Sequence, residues 1–226
     1  MKIQILKEII QKKSSKEKFA VLTNLINGNS EIFEFGKFLS KDFESSKKEI
    51  ENYHYLKKNG VIDGTQIFIQ NYIKPTEVII VGAVHISQYL VDLFKNLDFV
   101  VTIIDPRKYF ITEERFPNIE IIYGWPEEIF KKLQTNSNNA LITLTHDPKI
   151  DDPALRHALK NKFFYIGALG SKKTHSKRCE RLKEAGFSEE EIASIHGPIG
   201  IKLGGKSAPE IALSIVAQLV SETHKL

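Results

Sequence analysis

The residues with the most chemical reach fall into five short stretches. Gly82-Ala83-Val84-His85 joins two small residues to an imidazole, and Asp105-Pro106-Arg107 sets a carboxylate two positions from a guanidinium. Thr145-His146-Asp147-Pro148 places a hydroxyl, an imidazole and a carboxylate in succession, and His196-Gly197-Pro198 puts another imidazole in a turn. Gly167-Ala168-Leu169-Gly170-Ser171-Lys172-Lys173 is a glycine loop running into lysines, with His175, Lys177 and Arg178 beyond it. Glycines ahead of a helix start leave backbone N–H groups and the positive end of the helix dipole for an anion. This stretch therefore predicts a phosphate cradle at Gly167, Gly170 and Ser171. It is not a Walker A loop, because the spacing is short and Ser171 precedes the lysines. An ordinary loop ahead of a solvated basic helix has the same composition, so the stretch alone does not separate the two readings.

Gly82 and Asp105 stand 23 residues apart, the interval at which a dinucleotide fold carries its turn glycine and the acid for a ribose hydroxyl. The second and third glycine positions of that motif hold Val84 and Ser87. A glycine there lets the backbone approach a pyrophosphate, and a Val side chain takes up that space. Tight NAD(P) binding is therefore disfavoured, while the fold is not. Histidines titrate near neutrality and can bind, shuttle protons or ligate metals, but His85, His146 and His196 lack zinc-type spacing. Cys179 is the one cysteine; a single thiol excludes a disulfide framework and a multi-cysteine metal site and fits a reduced, cytoplasmic compartment.

Five strand ends must carry these groups. Residues 78–81, 100–104, 119–123, 140–144 and 163–166 read as strands, and 86–96, 127–133 and 153–160 as helices between them. Alternating strands and helices imply a parallel sheet with right-handed crossovers, in which ligands bind beyond the carboxyl ends of the strands. Asp152-Pro153 reads as a helix start. Ser188 with Glu191, and Ser207 with Glu210, read as capping boxes opening two more helices, the last over 209–223. Ahead of this lies a different rhythm. Residues 3–12 read as an amphipathic helix, and runs at 19–26 and 30–35 around Asn27-Gly28 read as a hairpin with a type I′ turn. A single helix is expected over 41–58, capped by Ser40 and closed before Gly60, then a strand over 66–73. The fold class is α/β, a parallel sheet flanked by helices behind a small α+β domain. The expected domains are 1–75 and 76–226, with the seam at Lys74-Pro75.

Composition bounds the rest. Apolar residues make up 42% of the chain, with 14 Phe and 7 Tyr, enough for packed cores and against disorder. The net charge of +4 lies wholly in residues 1–75 and is too modest to argue for nucleic acid. No apolar run approaches a membrane span, and the first residues do not form a signal peptide.

Six ordered blocks carry a resemblance: VIIVGAVHISQYL, TIIDPRKYFITEERFP, GWPEE, LTHDPKIDDPALRHAL, FYIGALGSKKTHSKR and IHGPIGIKLGGKSAPEIALSIVAQ. Residues 76–221 resemble the C-terminal domain of the XdhC/CoxI family, accessory factors for molybdenum hydroxylases such as xanthine dehydrogenase. The resemblance implies a Rossmann-like domain, commonly in a homodimer, that holds the molybdenum cofactor (molybdopterin) transiently, protects it during sulfuration and delivers it. The implied partners are an apo molybdenum hydroxylase and a cysteine desulfurase. Family members usually carry G-A-G-H where this chain has Gly82-Ala83-Val84-His85, and the G-S-x-P-R and S-G-G-C blocks of their N-terminal domain are absent from residues 1–75. On this reading Gly167, Gly170 and Ser171 hold a phosphate, while Gly82, Ala83, His85, Asp105, Thr145, His146, Asp147 and His196 line the remainder. No nucleophile–base pair is evident, so a maturation factor is expected rather than a turnover enzyme. A nucleotide-dependent oxidoreductase and a ligand-free docking scaffold stay open as alternatives.

Overall fold

The computed structural model describes residues 3–14, 18–72 and 75–224. The chain forms two compact units, residues 1–74 and 75–226. Ile73 and Lys74 lie outside the described residues, so the end of the expected 66–73 strand and the first half of the expected seam do as well.

In the first unit, α1 (Ile3–Ser14), β1 (Phe19–Asn24), β2 (Ser30–Phe33), α2 (Lys41–Glu44), α3 (Lys47–Tyr55), β3 (Gly60–Val61) and β4 (Ile67–Tyr72) follow in order. The strands form an antiparallel sheet in the order β2-β1-β4-β3. One face packs Ala20, Leu22, Ile67 and Ile69 with Phe43 and Ile50 from α2 and α3, and the other packs Phe19 and Val21 with Ile9 of α1. This is the period-2 alternation of a sheet covered on both sides. Two local expectations are corrected. The hairpin turn is wider than type I′: Asn24 N–H donates to Asn29 O at 2.8 Å and Gly28 N–H to Asn24 O at 2.9 Å. Gly28 has φ of +73° while Asn27 does not take positive φ, so the condition for the two-residue turn is not met. The 41–58 helix is broken at Ser45-Ser46, and Ser40 makes no side-chain cap. Serine favours caps over helix interiors because its hydroxyl competes for nearby backbone groups.

The second unit runs β5 (Glu77–Val81), α4 (His85–Lys95), β6 (Val100–Asp105), β7 (Glu120–Tyr123), α5 (Pro126–Ile129), β8 (Asn139–Thr143), α6 (Pro148–Lys160), β9 (Tyr165–Ala168), α7 (Lys172–Glu184), α8 (Glu189–Ala193), β10 (Ile195–His196) and α9 (Ala208–Thr223). All six strands pair in parallel, in the order β10-β9-β8-β5-β6-β7. The order reverses between β5 and β8, which is the switch point of a doubly wound sheet. Strands β5 and β8 are buried on both faces, as their unbroken apolar runs require. One face packs Val78, Ile80 and Ile142 against α4 and α9, and the other packs Ile79, Val81 and Leu141 against α6 and α7. Both serine caps form: Ser188 N–H donates to Glu191 Oε2 at 2.8 Å, and Ser207 N–H to Glu210 Oε2 at 3.0 Å. Helix α6 begins five residues before its expected start. Asp147 caps it by accepting from Lys149 N–H at 2.9 Å, and Pro148 occupies the first turn, the position proline tolerates best. Asp152 is instead buried inside the helix and forks with Arg181, Nε at 2.5 Å and Nη2 at 3.0 Å.

Candidate functional site

Beyond β5 and β6, two turns are locked to each other. Gly82 takes φ of +115° and presses against the β8 loop, so that an added Cβ would lie 2.8 Å from Thr145 Cγ2. Only glycine adopts that backbone and fits that gap. The next N–H, of Ala83, donates to Asp105 Oδ2 at 2.7 Å. Asp105 also accepts from Arg107: its backbone N–H at 2.8 Å, Nε at 2.9 Å and Nη2 at 2.7 Å. The carboxylate is fully buried, with both oxygens engaged. This corrects the expectation that Asp105 lines a binding edge or meets a ribose hydroxyl, since no acceptor capacity faces outward. Arg107 takes that place, a third exposed and stacked 4.4 Å over the Phe110 ring. The Asp105 carboxylate beside it raises its pKa further, with smaller help from Asp147 and Asp151. Arg115 braces the same turn, donating to Ala83 O at 2.8 Å and also to Phe110 O.

After β8 the chain turns sharply at His146, whose φ of +62° is uncommon outside glycine. The buried Asp151 of α6 holds the turn: Oδ1 accepts from the Thr145 hydroxyl at 2.6 Å and Oδ2 from His146 N–H at 3.1 Å. Burial raises the Asp151 pKa, and these hydrogen bonds oppose the shift. The His146 and Asp147 side chains face solvent. Backbone in a sparsely populated region persists only where its surroundings over-determine it, here through Thr145 and Asp151.

After β9, Gly170 takes φ of +144°; a Cβ there would lie 3.1 Å from Thr174 Cγ2 and 3.7 Å from His146 Nδ1. The β8 and β9 loops thus meet at the N-terminus of α7. Ser171 caps that helix, accepting from Thr174 N–H at 3.1 Å. A cleft of about 240 Å³ opens here, lined by His146, Pro148, Asp151, Lys173, Thr174, Lys177, Arg178 and Arg181. Gly167 does not take part. It sits inside β9, paired with Ile142 and His196, and an added Cβ would lie 2.3 Å from Ile199. That glycine serves close packing in the sheet, which corrects its assignment to the phosphate cradle.

The other candidates are dispersed. His196 stacks on the Tyr165 ring with centroids 4.9 Å apart, at the edge strand β10. His85 opens α4 and meets Tyr89 edge-on. Val84 packs against the core shared with α4 and α9. Cys179 lies beside His175, Nε2 at 3.5 Å, and burial holds the pKa of that imidazole below its usual value. Among the described residues no three His, Cys, Asp or Glu side chains gather as a metal site, and no helix is long and apolar enough to cross a membrane.

From sequence, Asp105 took a place on the binding edge and Arg178 only a charge beyond the glycine loop, while Arg115 and Asp151 were passed over. A carboxylate six residues after Thr145, inside a helix start, was the available signal for Asp151.

The model of the XdhC Rossmann domain matches residues 78–219, well over half of the chain. The chain belongs to the XdhC family. The molybdenum cofactor insertion chaperone PaoD of Escherichia coli is 41% identical over 88 residues, which cover 39% of this chain and 28% of that protein. A Bacillus subtilis protein named as a probable subunit of xanthine dehydrogenase is 27% identical over 162 residues, 71% of this chain and 47% of that protein. The XdhC-family chain therefore spans less than half the length of either relative. A crystal structure of a xanthine dehydrogenase from Bacillus halodurans shares the fold, with a TM-score of 0.72 and 23% identity over 98% of this chain and 64% of that one.

Proposed function

We propose that this XdhC-family chain assists maturation of a xanthine dehydrogenase-type molybdenum hydroxylase by holding the molybdenum cofactor and passing it on. The observation that carries the reading is the meeting of His146 and Gly170 at the start of α7, beside the switch point. Gly170 lets the loop press against Thr174 where a Cβ would be crowded, Lys173 and Lys177 add positive charge, and the helix start contributes backbone donors. A pterin phosphate fits that donor set. The names of the PaoD and Bacillus subtilis relatives support the same cargo and the same client class. The cofactor supplies the molybdenum and its sulfur ligands; the chain's own residues bind and orient it. Gly82, Ala83, His85, Thr145, Asp147, Ser171 and His196 form the wider edge on this reading. A cysteine desulfurase, a homodimer, sulfuration of the held cofactor, and residues 1–75 as a separate small domain belong to the same proposal. A nicotinamide-dependent oxidoreductase loses its ribose acceptor, because Asp105 is spent on Ala83 and Arg107.

The test is cofactor content. The chain is purified from a host that makes molybdopterin, the released pterin is oxidised, and its fluorescence is counted per chain. A near-stoichiometric signal that falls in Gly170→Val and His146→Ala is expected. No signal, even after cofactor is added in vitro, overturns the reading.

A further inference from the structure

Arg178 is among the largest fully buried side chains of the protein, yet it is barely bonded. A guanidinium carries five N–H donors. Here Nη2 reaches Leu169 O at 3.0 Å, while Nε and Nη1 are buried with no acceptor among the described residues. The nearest carboxylate oxygen, Asp151 Oδ2, is 4.0 Å from Nη2, beyond hydrogen-bond range. Both Asp151 oxygens are already engaged with Thr145 and His146. Asp152 is no substitute, being forked with Arg181. A buried cation with two of its three nitrogens lacking an acceptor is costly, and burial accordingly lowers the pKa of Arg178.

The surroundings show which group would satisfy it. Arg178 lines the cleft at the start of α7, with Lys173, Lys177 and Arg181 as further cations and Asp151 as the one carboxylate among the lining residues. The 240 Å³ cleft falls below the roughly 300–1,000 Å³ of pockets that enclose whole small ligands. It holds one group of a ligand. A planar fork of N–H donors matches a tetrahedral oxyanion with several acceptor oxygens.

We propose that the α7 cleft is a phosphate receptor with Arg178 at its base, Lys173 and Lys177 at its mouth and the first N–H groups of α7 as co-donors. The ligand class is a terminal phosphate or phosphate monoester. The carrier of that phosphate rests on the cofactor reading above, while the site itself does not: a pterin phosphate, a nucleoside monophosphate and free phosphate share this chemistry.

The experiment is calorimetric titration of the full chain with inorganic phosphate at constant ionic strength, with chloride as control. It is repeated for Arg178→Met, Arg178→Lys and the exposed pair Lys173→Glu/Lys177→Glu. Saturable phosphate binding is expected, weakened at least tenfold in Arg178→Met and in the Lys pair. Arg178→Lys, which keeps charge but not the fork, should fall between. If Arg178→Met does not fold, the exposed pair decides. Equal phosphate affinity in wild type and the foldable variants, or the same response to chloride, overturns the proposal. Adenosine monophosphate and molybdopterin then identify the carrier as whichever binds tighter in an Arg178-dependent way. Molybdopterin retained equally with and without Arg178 overturns the phosphate receptor and leaves the cofactor reading standing. Arg178-dependent phosphate binding with no molybdopterin bound upholds the receptor and removes the cofactor reading.

Discussion

Replacing Asp105 by Asn tests whether this residue anchors the fold at the ligand edge or reads a ligand. The carboxylate is fully buried and accepts four hydrogen bonds, from Ala83 N–H and from three donors of Arg107. Hydrogen bonds to a charged partner contribute about 1.5–3 kcal/mol each net. The Arg107 share must be discounted, because its side chain is 36% exposed and water can replace part of what it loses. Asn keeps one acceptor oxygen but turns an N–H toward donors. The expected loss is about 3 kcal/mol, which at roughly 2–4 °C per kcal/mol lowers the Tm by about 6–12 °C. Trp125 is the only tryptophan and follows Gly124, whose N–H donates to Asp105 O at 3.2 Å. Urea titration followed by its fluorescence therefore reads this unit at the right place. Arg107→Gln should cost less, and the double variant should show a coupling of about 1 kcal/mol or more. A loss below about 0.5 kcal/mol for Asp105→Asn, with no coupling to Arg107, would refute the anchor and return Asp105 to the ligand.

Gly82→Ala should destabilise by about 2–4 kcal/mol, combining a backbone strain of about 1–3 kcal/mol with overpacking against Thr145 at 2.8 Å. Gly28→Ala, with φ of +73° but open space around it, should cost only about 1 kcal/mol; equal losses in the two would show that the gap at Gly82 is not tight. Acidification should lower stability through two histidines. Burial depresses the pKa of His157, stacked 4.4 Å from Phe130, and of His175. Their unfolded forms take up protons first, so the Tm should begin to fall as pH drops through about 6.5 and level off below the folded pKa values. In His157→Phe the fall should be shallower, and an unchanged pH profile in that variant would remove the assignment.

The parallel sheet was legible because its signal is redundant. Strands β5, β6 and β8 are near-continuous apolar runs, and only a sheet covered on both faces needs these. Boundaries were less legible where two valid start signals compete. Asp152-Pro153 reads as the capped start, while Asp147-Pro148, which has the same residue types, reads only as a loop. The fold takes the earlier one because Asp151 and Asp152 are needed inside, one holding the Thr145-His146 turn and the other holding Arg181. The wide turn at 24–29 and the break at Ser45-Ser46 were hidden in a similar way, since Asn-Gly and paired serines each suit more than one backbone path.

The sequence reads a candidate edge, and the structure shows which of its residues are used in building that edge. Strand ends told where chemistry could sit, but not which side chains would be consumed in building the edge. Asp105 and Gly167 have the residue types of a binding motif, and both are spent on structure. Arg178 runs the other way: in a stretch of lysines and arginines it reads only as one more charge near the glycine loop, on a helix that suits an anion or solvent equally. The helical register carried a signal. Helix α7 has few apolar residues, and Leu182 is one that is buried. Residues four apart share a helix face, so burying Leu182 draws Arg178 inward as well. On the proposal above, a helix that buries an arginine on its apolar stripe, in line with a glycine loop at its start, takes an anion to complete it. That requirement is the feature most worth seeking in other glycine-loop helices rich in lysine.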